Sequence, residues 1–193
     1  MNGQMTELEA VNEVLAAIGD QPVQTLAAGT YIEAIRIQQI IKETSREIQA
    51  QGWWFNEEEN KTLKPDINGY ITLGYNVINV YVLNDNDGSI IQRGNRLYDR
   101  KKDTYKFDKD LQVDLLLALD WDELPQVARS YISAYVAIKY NSGYIGLDGA
   151  MQNMISILNE RRIAFRKADT MARDINLLNN VVVNNIAFRN RRG

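Results

Sequence analysis

Carboxylates are the side chains in this sequence whose types and spacing come nearest to catalytic chemistry. Asp120, Asp122 and Glu123 stand just before Pro125, and a second acidic group spans Glu57 to Glu59. Two such carboxylates can serve as the acid and the base of a glycosidase. The simpler interpretation is that Asp122 or Glu123 caps a helix that begins near Pro125. For the second group, Glu57 to Glu59, the simpler interpretation is a solvated turn. We therefore expect no catalytic residue and no enzyme, and a carboxylate-based glycan hydrolase remains the alternative function.

The amino-acid composition removes most other chemistry. The 193-residue chain has no cysteine and no histidine, so it can form no disulfide, no thiolate metal site and no histidine-dependent catalytic triad. The run from Asn84 to Gly88 has the residue types of a calcium loop. Placing Gly88 sixth in such a loop puts Leu83 first and Gly94 twelfth, where carboxylates are needed. A hairpin turn is the better interpretation, and we expect no metal ion and no cofactor.

Trp53, Trp54 and Phe55 form the densest aromatic group in the chain. Aromatic side chains line both sugar-binding grooves and protein interfaces. If this segment is a strand, alternation sends Trp53 and Phe55 to one face and Trp54 to the other. Core packing is the default for one face, which makes Trp54 the candidate interface residue. A soluble module that binds peptides or sugars through these rings is a further possible function.

Charge is distributed unevenly along the chain. From Arg161 to Gly193, eight basic residues stand against two acidic ones, a net charge of +6, whereas the whole chain carries −3 and the remainder therefore −9. This asymmetry fits a contact in which one end of the protein meets the other end of a neighbouring copy. A solvated basic helix face with a basic tail explains it equally well. The basic candidate interface residues are Arg161, Arg162, Arg166 and Arg189.

Two amphipathic helices are predicted at the start of the chain. Thr6 and Glu9 form a capping box, the apolar residues that follow fall on one face, and Gly19 ends the helix. A second amphipathic run extends from Ile32 to Ile48 and stops before Gly52. We expect the two helices to pack as an antiparallel pair.

The sequence pattern changes between Trp53 and Leu119, where short β-branched and aromatic runs are separated by turn clusters. This pattern predicts a small antiparallel sheet inserted between helices. Its predicted strands are 70–73, 77–83, 89–92, 96–99 and 111–119.

Two more helices and a tail are predicted after the sheet. Pro125 is expected early in a third helix, which ends at Gly143 and Gly146. A fourth helix is predicted from about Asp148 to Asp174. The Asn-rich remainder is expected to become ordered only against another chain. Its candidate interface residues are Val181, Val182, Val183, Ile186 and Phe188.

Together these elements predict an α+β fold, a bundle of about four helices with an inserted small antiparallel β domain. We expect the bundle to comprise residues 1–52 and 120–175, the β domain residues 53–119, and an extended C-terminal tail residues 176–193. No apolar run approaches the roughly 20 residues that a membrane span needs, and the first residues do not resemble a signal peptide. The protein is therefore expected to be soluble, made in the cytosol and independent of membranes.

Several ordered motifs cover about the first three quarters of the chain. The first comprises residues 10–20 with Pro22-Val23 and Thr25-Leu26. The second comprises Arg46, Ile48, Gln49, Gly52, Trp53, Phe55, Asn56, Glu58, Thr62, Leu63, Pro65 and Asp66. The third comprises Tyr98-Asp99-Arg100 and the stretch from Asp120 to Pro125. In order and spacing these motifs resemble the tail tubular protein A family of short-tailed bacteriophages, the podophages.

The resemblance implies a structural virion protein of the phage tail, made in the host cytoplasm. It implies a dodecameric ring that acts as a head-to-tail connector, an adaptor between the portal and the tail nozzle. The nozzle protein is tail tubular protein B. The ring would also support the attached tail fibres. Genomic DNA would pass through the channel during genome ejection without specific binding, consistent with the acidic balance of the chain. In this context the alternative enzyme would be a tail-associated exopolysaccharide hydrolase.

Overall fold

Four α-helices and five named β-strands make up the described part of the chain. The computed structural model describes residues 3–27, 31–85, 87–144 and 151–189, and for residues 143–144 and 176–189 it describes the backbone alone. The helices are α1 (Glu7–Ala17), α2 (Ile32–Gln49), α3 (Gln126–Tyr144) and α4 (Met151–Arg189). The strands are β1 (Glu57–Leu63), β2 (Val77–Val82), β3 (Ile90–Arg93), β4 (Arg96–Asp99) and β5 (Leu111–Leu117). The predicted α+β class is confirmed.

The chain divides into two compact units. One comprises Met1–Ser45 and Trp121–Gly193, and the other comprises Arg46–Asp120. We refer to them as the helical unit and the β unit. Helix α2 contributes residues to both.

Helix α1 begins with the predicted capping box. The Glu9 amide donates to Thr6 Oγ1 at 3.2 Å, and the Thr6 amide donates to Glu9 Oε2 at 2.7 Å. These bonds satisfy backbone donors that a helix N-terminus otherwise leaves unpaired. Gly19, with a φ of 78°, adopts the left-handed conformation just after the helix. Both predicted boundaries of α1 are therefore confirmed.

The helices of the helical unit pair differently from the prediction. The close pairs among the described residues are α1 with α3 and α3 with α4, so the expected antiparallel pair of α1 and α2 is wrong. The chain after α1 folds back onto that helix instead. The Asn12 side chain donates to the Val23 carbonyl oxygen at 2.9 Å and accepts from the Val23 amide at 2.8 Å. This connection is held against α1 by bonds that apolar periodicity does not reveal.

Helix α4 is longer than its sequence pattern indicated. Met151, Met154 and Phe165 are buried, as the predicted apolar face requires. The predicted end near Asp174 is wrong, because the helix continues to Arg189. The backbone of residues 176–189 is therefore helical rather than extended. No glycine or proline stands between Asp174 and Arg189 to stop the helix.

The β unit contains two antiparallel sheets. The first has the strand order β1-β5-β2, and the second pairs β3 with β4. Strand β1 was not predicted. Its Glu57 to Glu59 segment, interpreted from the sequence as a solvated turn, belongs to this strand, and Glu57 and Glu58 pair with Leu116 and Leu115 of β5. A strand of mostly exposed charged residues with a bulge after Glu58 is a typical edge strand, and its composition hides it from propensity arguments.

Side chains from both sheets and the connecting segments form one apolar core in the β unit. Its buried members are Ile71, Leu73, Val80, Leu97 and Val113. The predicted strand 70–73 makes only isolated bridges, to Lys106 and Arg96. The predicted hairpin at Asn84 to Gly88 is wrong, because β2 and β3, the strands before and after this segment, belong to different sheets. Asn86 itself lies outside the described residues.

None of the helices, over the residues that the structure describes, is long and apolar enough to cross a membrane.

Candidate interaction surfaces

The carboxylates that the sequence analysis considered for catalysis lie in two different units. Glu57 to Glu59 belong to strand β1, where Glu58 forms an ion pair with Lys61 at 3.3 Å. Asp122 and Glu123 are part of a short 3-10 helix, Trp121–Glu123, before α3. Within the described residues, no group of three acidic side chains is placed to hold a metal ion.

The aromatic group after α2 adopts a turn rather than a strand, so the predicted alternation of its side chains is wrong. Gly52, which precedes this group, has a φ of 79° and therefore adopts the left-handed conformation that glycine tolerates best. The Trp53 indole donates to the Ile48 carbonyl oxygen at 2.7 Å, which ties this ring to the end of α2. Trp54 lies edge-to-face with Phe55, with ring centroids 5.0 Å apart, and is half-buried. Trp54 keeps a partly exposed ring, and its role as an interface residue stays a prediction.

Arg161, one of the predicted interface residues, is engaged inside the helical unit. Its guanidinium forms an ion pair with Glu13 of α1 and donates through Nη1 to the Ser130 carbonyl oxygen of α3 at 3.0 Å. The other Glu13 oxygen accepts from Ser133 Oγ at 2.8 Å. Arg161 therefore joins three helices.

Arg162 and Arg166 are exposed on α4, on either side of the buried Phe165. The Phe165 ring stacks on Tyr131 of α3, with centroids 5.2 Å apart and planes 21° apart. Burial raises the pKa of Tyr131, and the positive charges of Arg162 and Arg166 oppose that rise. The two arginines thus form a cationic ridge along an exposed side of α4.

The remaining predicted interface residues are Val181, Val182, Val183, Ile186, Phe188 and Arg189. Their backbone belongs to α4, and their side chains lie outside the described residues.

Arg129, which the sequence analysis did not single out, is buried at 3% exposure and organises the start of the helical unit. Its guanidinium donates to the carbonyl oxygens of Met5, Asp122 and Leu124 at 2.7 to 2.8 Å. The Trp121 indole also donates to the Met5 carbonyl, at 3.0 Å. One arginine therefore fixes the segment before α1 against the turn that leads into α3.

A basic surface on the hairpin of β3 and β4 was also missed. Arg93 and Arg96 are directly opposite one another in the pairing, and both are exposed. Arg93 lies over the Tyr98 ring, 3.6 Å from its centroid, and Arg96 lies 4.7 Å from the centroid of Tyr70. Tyr105 contacts Tyr98 at a centroid distance of 4.7 Å. We call these five residues the basic hairpin face.

A sequence signal for this face was present. Residues 93–106 contain six basic and two acidic side chains, a net charge of +4 within a chain of net charge −3. The sequence analysis considered basic residues only near the C-terminus. Interleaved tyrosines and arginines at 93, 96, 98 and 105 distinguish this segment from an ordinary solvated charge run.

The sequence is similar to known proteins over most of its length. The model of a family described as tail tubular protein matches residues 8–175 of this chain. Tail tubular protein A of Klebsiella phage KP34 is 26% identical over 149 residues, which cover 77% of this chain and 78% of that protein. Both matches include residues of the helical unit and of the β unit.

Proposed function

Because this chain belongs to the tail tubular protein family, and is thus a structural protein of the phage tail, we propose that it is a subunit of the adaptor ring between portal and tail nozzle. The observation that carries the proposal is the extent of the family match. It runs from residue 8 to residue 175 and spans both compact units. The similarity to a tail tubular protein A covers 149 residues, 77% of this chain.

In the proposed assembly, copies of this chain form a dodecameric ring in the virion tail. The portal protein lies on one side of the ring and the nozzle protein on the other, and tail fibres attach at its rim. Genomic DNA passes through the channel without specific binding. The surplus of acidic residues outside the C-terminal segment favours this, because a negatively charged surface does not retain phosphates.

A closed ring built from identical subunits needs two different complementary faces on each subunit. The uneven charge of this chain supports such an arrangement, since residues 161–193 carry +6 and the remainder −9. The exposed cations Arg162 and Arg166 are available for the contact. Arg161 is less suitable, because its guanidinium already bonds to α1 and α3.

The end of α4 is proposed to dock on an adjacent subunit or on the portal. Helix α4 has 39 residues, about twice the 19 of α3, its neighbour in the helical unit. At 1.5 Å per residue α4 is about 58 Å long, so α3 can pack along roughly half of its length. Met171 and Ile175 are exposed, at 56% each, in the second half of α4. An apolar helix end of this kind is suited to a groove on a partner.

Deleting residues 179–193 tests the docking of α4. The truncated chain should keep its fold and lose most of its assembly with itself or with the portal. A matched control replaces Arg191 and Arg192 with glutamine and keeps the helix. Assembly of the truncated chain at the level of the full chain would exclude this part of the proposal.

The ring itself is tested by the mass of the purified chain in solution. Light scattering measures that mass for the chain alone and after mixing with the portal protein of the same phage. A ring-sized species, either spontaneous or formed only with the portal, would support the proposal, since interfaces often become ordered on binding. A chain that remains monomeric both alone and after mixing with the portal protein would contradict the proposal.

A further inference from the structure

The basic hairpin face concentrates positive charge that the β unit leaves without ionic partners. No carboxylate of the described residues forms an ion pair with Arg93 or Arg96. Elsewhere on the same segment Lys101 pairs with Asp87, and the Tyr98 hydroxyl donates to Asp103. Within the described part of the chain, the guanidinium groups of Arg93 and Arg96 contact the rings of Tyr98 and Tyr70, and the Arg93 side chain also interacts with the Tyr98 hydroxyl.

The positions of these two arginines are unfavourable for the isolated hairpin. Like charges directly opposite each other on neighbouring strands destabilise the pairing, and Arg93 is the direct partner of Arg96. Cation–π contacts with Tyr98 and Tyr70 offset part of this cost and restrict the movement of each guanidinium group. A fixed guanidinium is pre-organised for carboxylates, because little freedom is lost when its N–H groups bind. The face is therefore built to receive an anionic partner.

The opposite charge is present on the same unit. Outside residues 93–106, the β unit has four basic and eleven acidic side chains, a net charge of −7. Three of these acids, Glu57, Glu58 and Glu59, are consecutive on β1, which is an edge strand of the other sheet. Glu58 is bound to Lys61 through an ion pair whose side chains are about half exposed, and Glu59 is exposed. We call Glu57 to Glu59 the acidic edge.

We propose that the basic hairpin face of one copy of this chain docks on the acidic edge of a second copy. The inference rests on the proposed ring and identifies the charge pairing between its β units. A subunit that carries a cationic face and a separate anionic edge fits a head-to-tail contact, in which different patches meet. Nucleic acid is the less favourable occupant, since the β unit as a whole carries ten basic and thirteen acidic residues and its net charge of −3 repels phosphates.

Two charge-reversed variants of the full chain test the pairing. R93E/R96E makes the face acidic, and E58K/E59K makes the edge basic. Each variant alone should assemble about tenfold more weakly or worse, because like charges then meet at every contact. In an equal mixture, the acidic face of R93E/R96E can meet the basic edge of E58K/E59K, and the basic face of E58K/E59K can meet the acidic edge of R93E/R96E. Every contact between unlike variants then joins opposite charges. The mixture should therefore form rings in which the variants alternate one to one, as native mass spectrometry can show.

Controls separate this inference from the proposed ring and from loss of folding. K42E/R46E makes the same charge change on an exposed side of α2 and should leave assembly unchanged. R93Q/R96Q removes the charges without reversing them and should weaken assembly less. Urea unfolding of each variant reports whether the fold is intact.

The outcomes are distinct. If the unaltered chain forms no ring even with the portal, the proposed function fails. If it forms a ring and R93E/R96E assembles equally well, only the charge pairing is overturned. The pairing is also overturned if the mixture of reversed variants does not assemble, or if short double-stranded DNA binds the unaltered chain and R93E/R96E abolishes that binding.

Discussion

The side chain of Gln49 and the backbone of Leu119 form a closed pair of hydrogen bonds. Gln49 Nε2 donates to the Leu119 carbonyl oxygen at 3.1 Å, and the Leu119 amide donates to Gln49 Oε1 at 2.7 Å. Gln49 ends α2, and Leu119 follows β5. The buried Asn56 adds to the connection, since its amide donates to the carbonyls of Gln49 and Leu117 at 2.9 and 2.7 Å. These side chains close the β unit where the chain enters and leaves it.

Replacing Gln49 with alanine should destabilise the β unit by about 2 to 3 kcal/mol, because it removes both bonds and leaves the Leu119 amide and carbonyl without these partners. Gln49 is 1% exposed, so water does not readily replace its side chain. Urea unfolding followed by tryptophan fluorescence measures the change. Gln51→Ala, an exposed glutamine two residues later, is the control and should change stability by less than about 0.5 kcal/mol. Equal effects of the two substitutions would show that the paired bonds contribute nothing.

Arg129 should be among the most sensitive positions in the helical unit. Arg129→Met keeps the apolar stem and removes the donors to Met5, Asp122 and Leu124, with an expected loss of about 3 kcal/mol. Arg129→Lys should recover little of it, because one ammonium group cannot reproduce the planar set of donors. Denaturant unfolding measures both variants. The exposed Arg162→Met is the control, and an Arg129→Met chain as stable as that control would contradict this account.

The contact of Glu13 with Arg161 should contribute a measurable coupling between α1 and α4. Their side chains are 32% and 27% exposed, so the pair is partly shielded from solvent. A double-mutant cycle with Glu13→Gln and Arg161→Met should give a coupling of about 1 kcal/mol. The same cycle with Arg162 in place of Arg161 should give a value near zero. A coupling indistinguishable between the two cycles would mean that this pair does not hold the helices together.

The capping box of α1 gives a defined dependence of stability on pH. Hydrogen bonds from the Thr6 backbone amide and hydroxyl lower the pKa of Glu9 from its ordinary value of 4.5. A carboxyl group whose pKa is lowered by folding stabilises the folded state above its unfolded pKa, and this contribution is lost as the pH falls through the folded value.

Glu9→Gln should therefore flatten the dependence of stability on pH between about pH 3 and pH 6. The glutamine side-chain oxygen can still accept the hydrogen bond from the Thr6 backbone amide. Urea midpoints recorded across that range provide the measurement. Glu7→Gln removes an acidic residue from the same first turn without touching the capping box, and it serves as the comparison. A profile for Glu9→Gln that is parallel to that of the unaltered chain would refute the assignment.

The elements that were predicted correctly depend on interactions between residues that are close to one another in the sequence. The Thr6 and Glu9 capping box, the stop at Gly19 and strand β4 follow from side-chain types at short spacing. Strand β1 could not be found in this way, because its stability comes from pairing with β5 rather than from its own glutamates. Long-range pairing overrides propensity at that position.

The interaction surfaces were less accessible to sequence reasoning. Charge counting identified Arg161, but not its ion pair with Glu13, which lies 148 residues away along the chain. The basic hairpin face depends on a register that places Arg93 opposite Arg96 and stacks both on tyrosines. Its positive charge was visible in the sequence, whereas the stacking required the fold.

Cryo-electron microscopy of the tail vertex in intact virions tests the adaptor assignment most directly. The account predicts a ring of this α+β fold between the portal and the nozzle, with every subunit contacting two neighbours. Labelled copies of the chain, carrying a small tag after Gly193, should add density to that ring. Tagged density at another place in the virion, or its absence from purified particles that carry complete tails, would contradict the central claim.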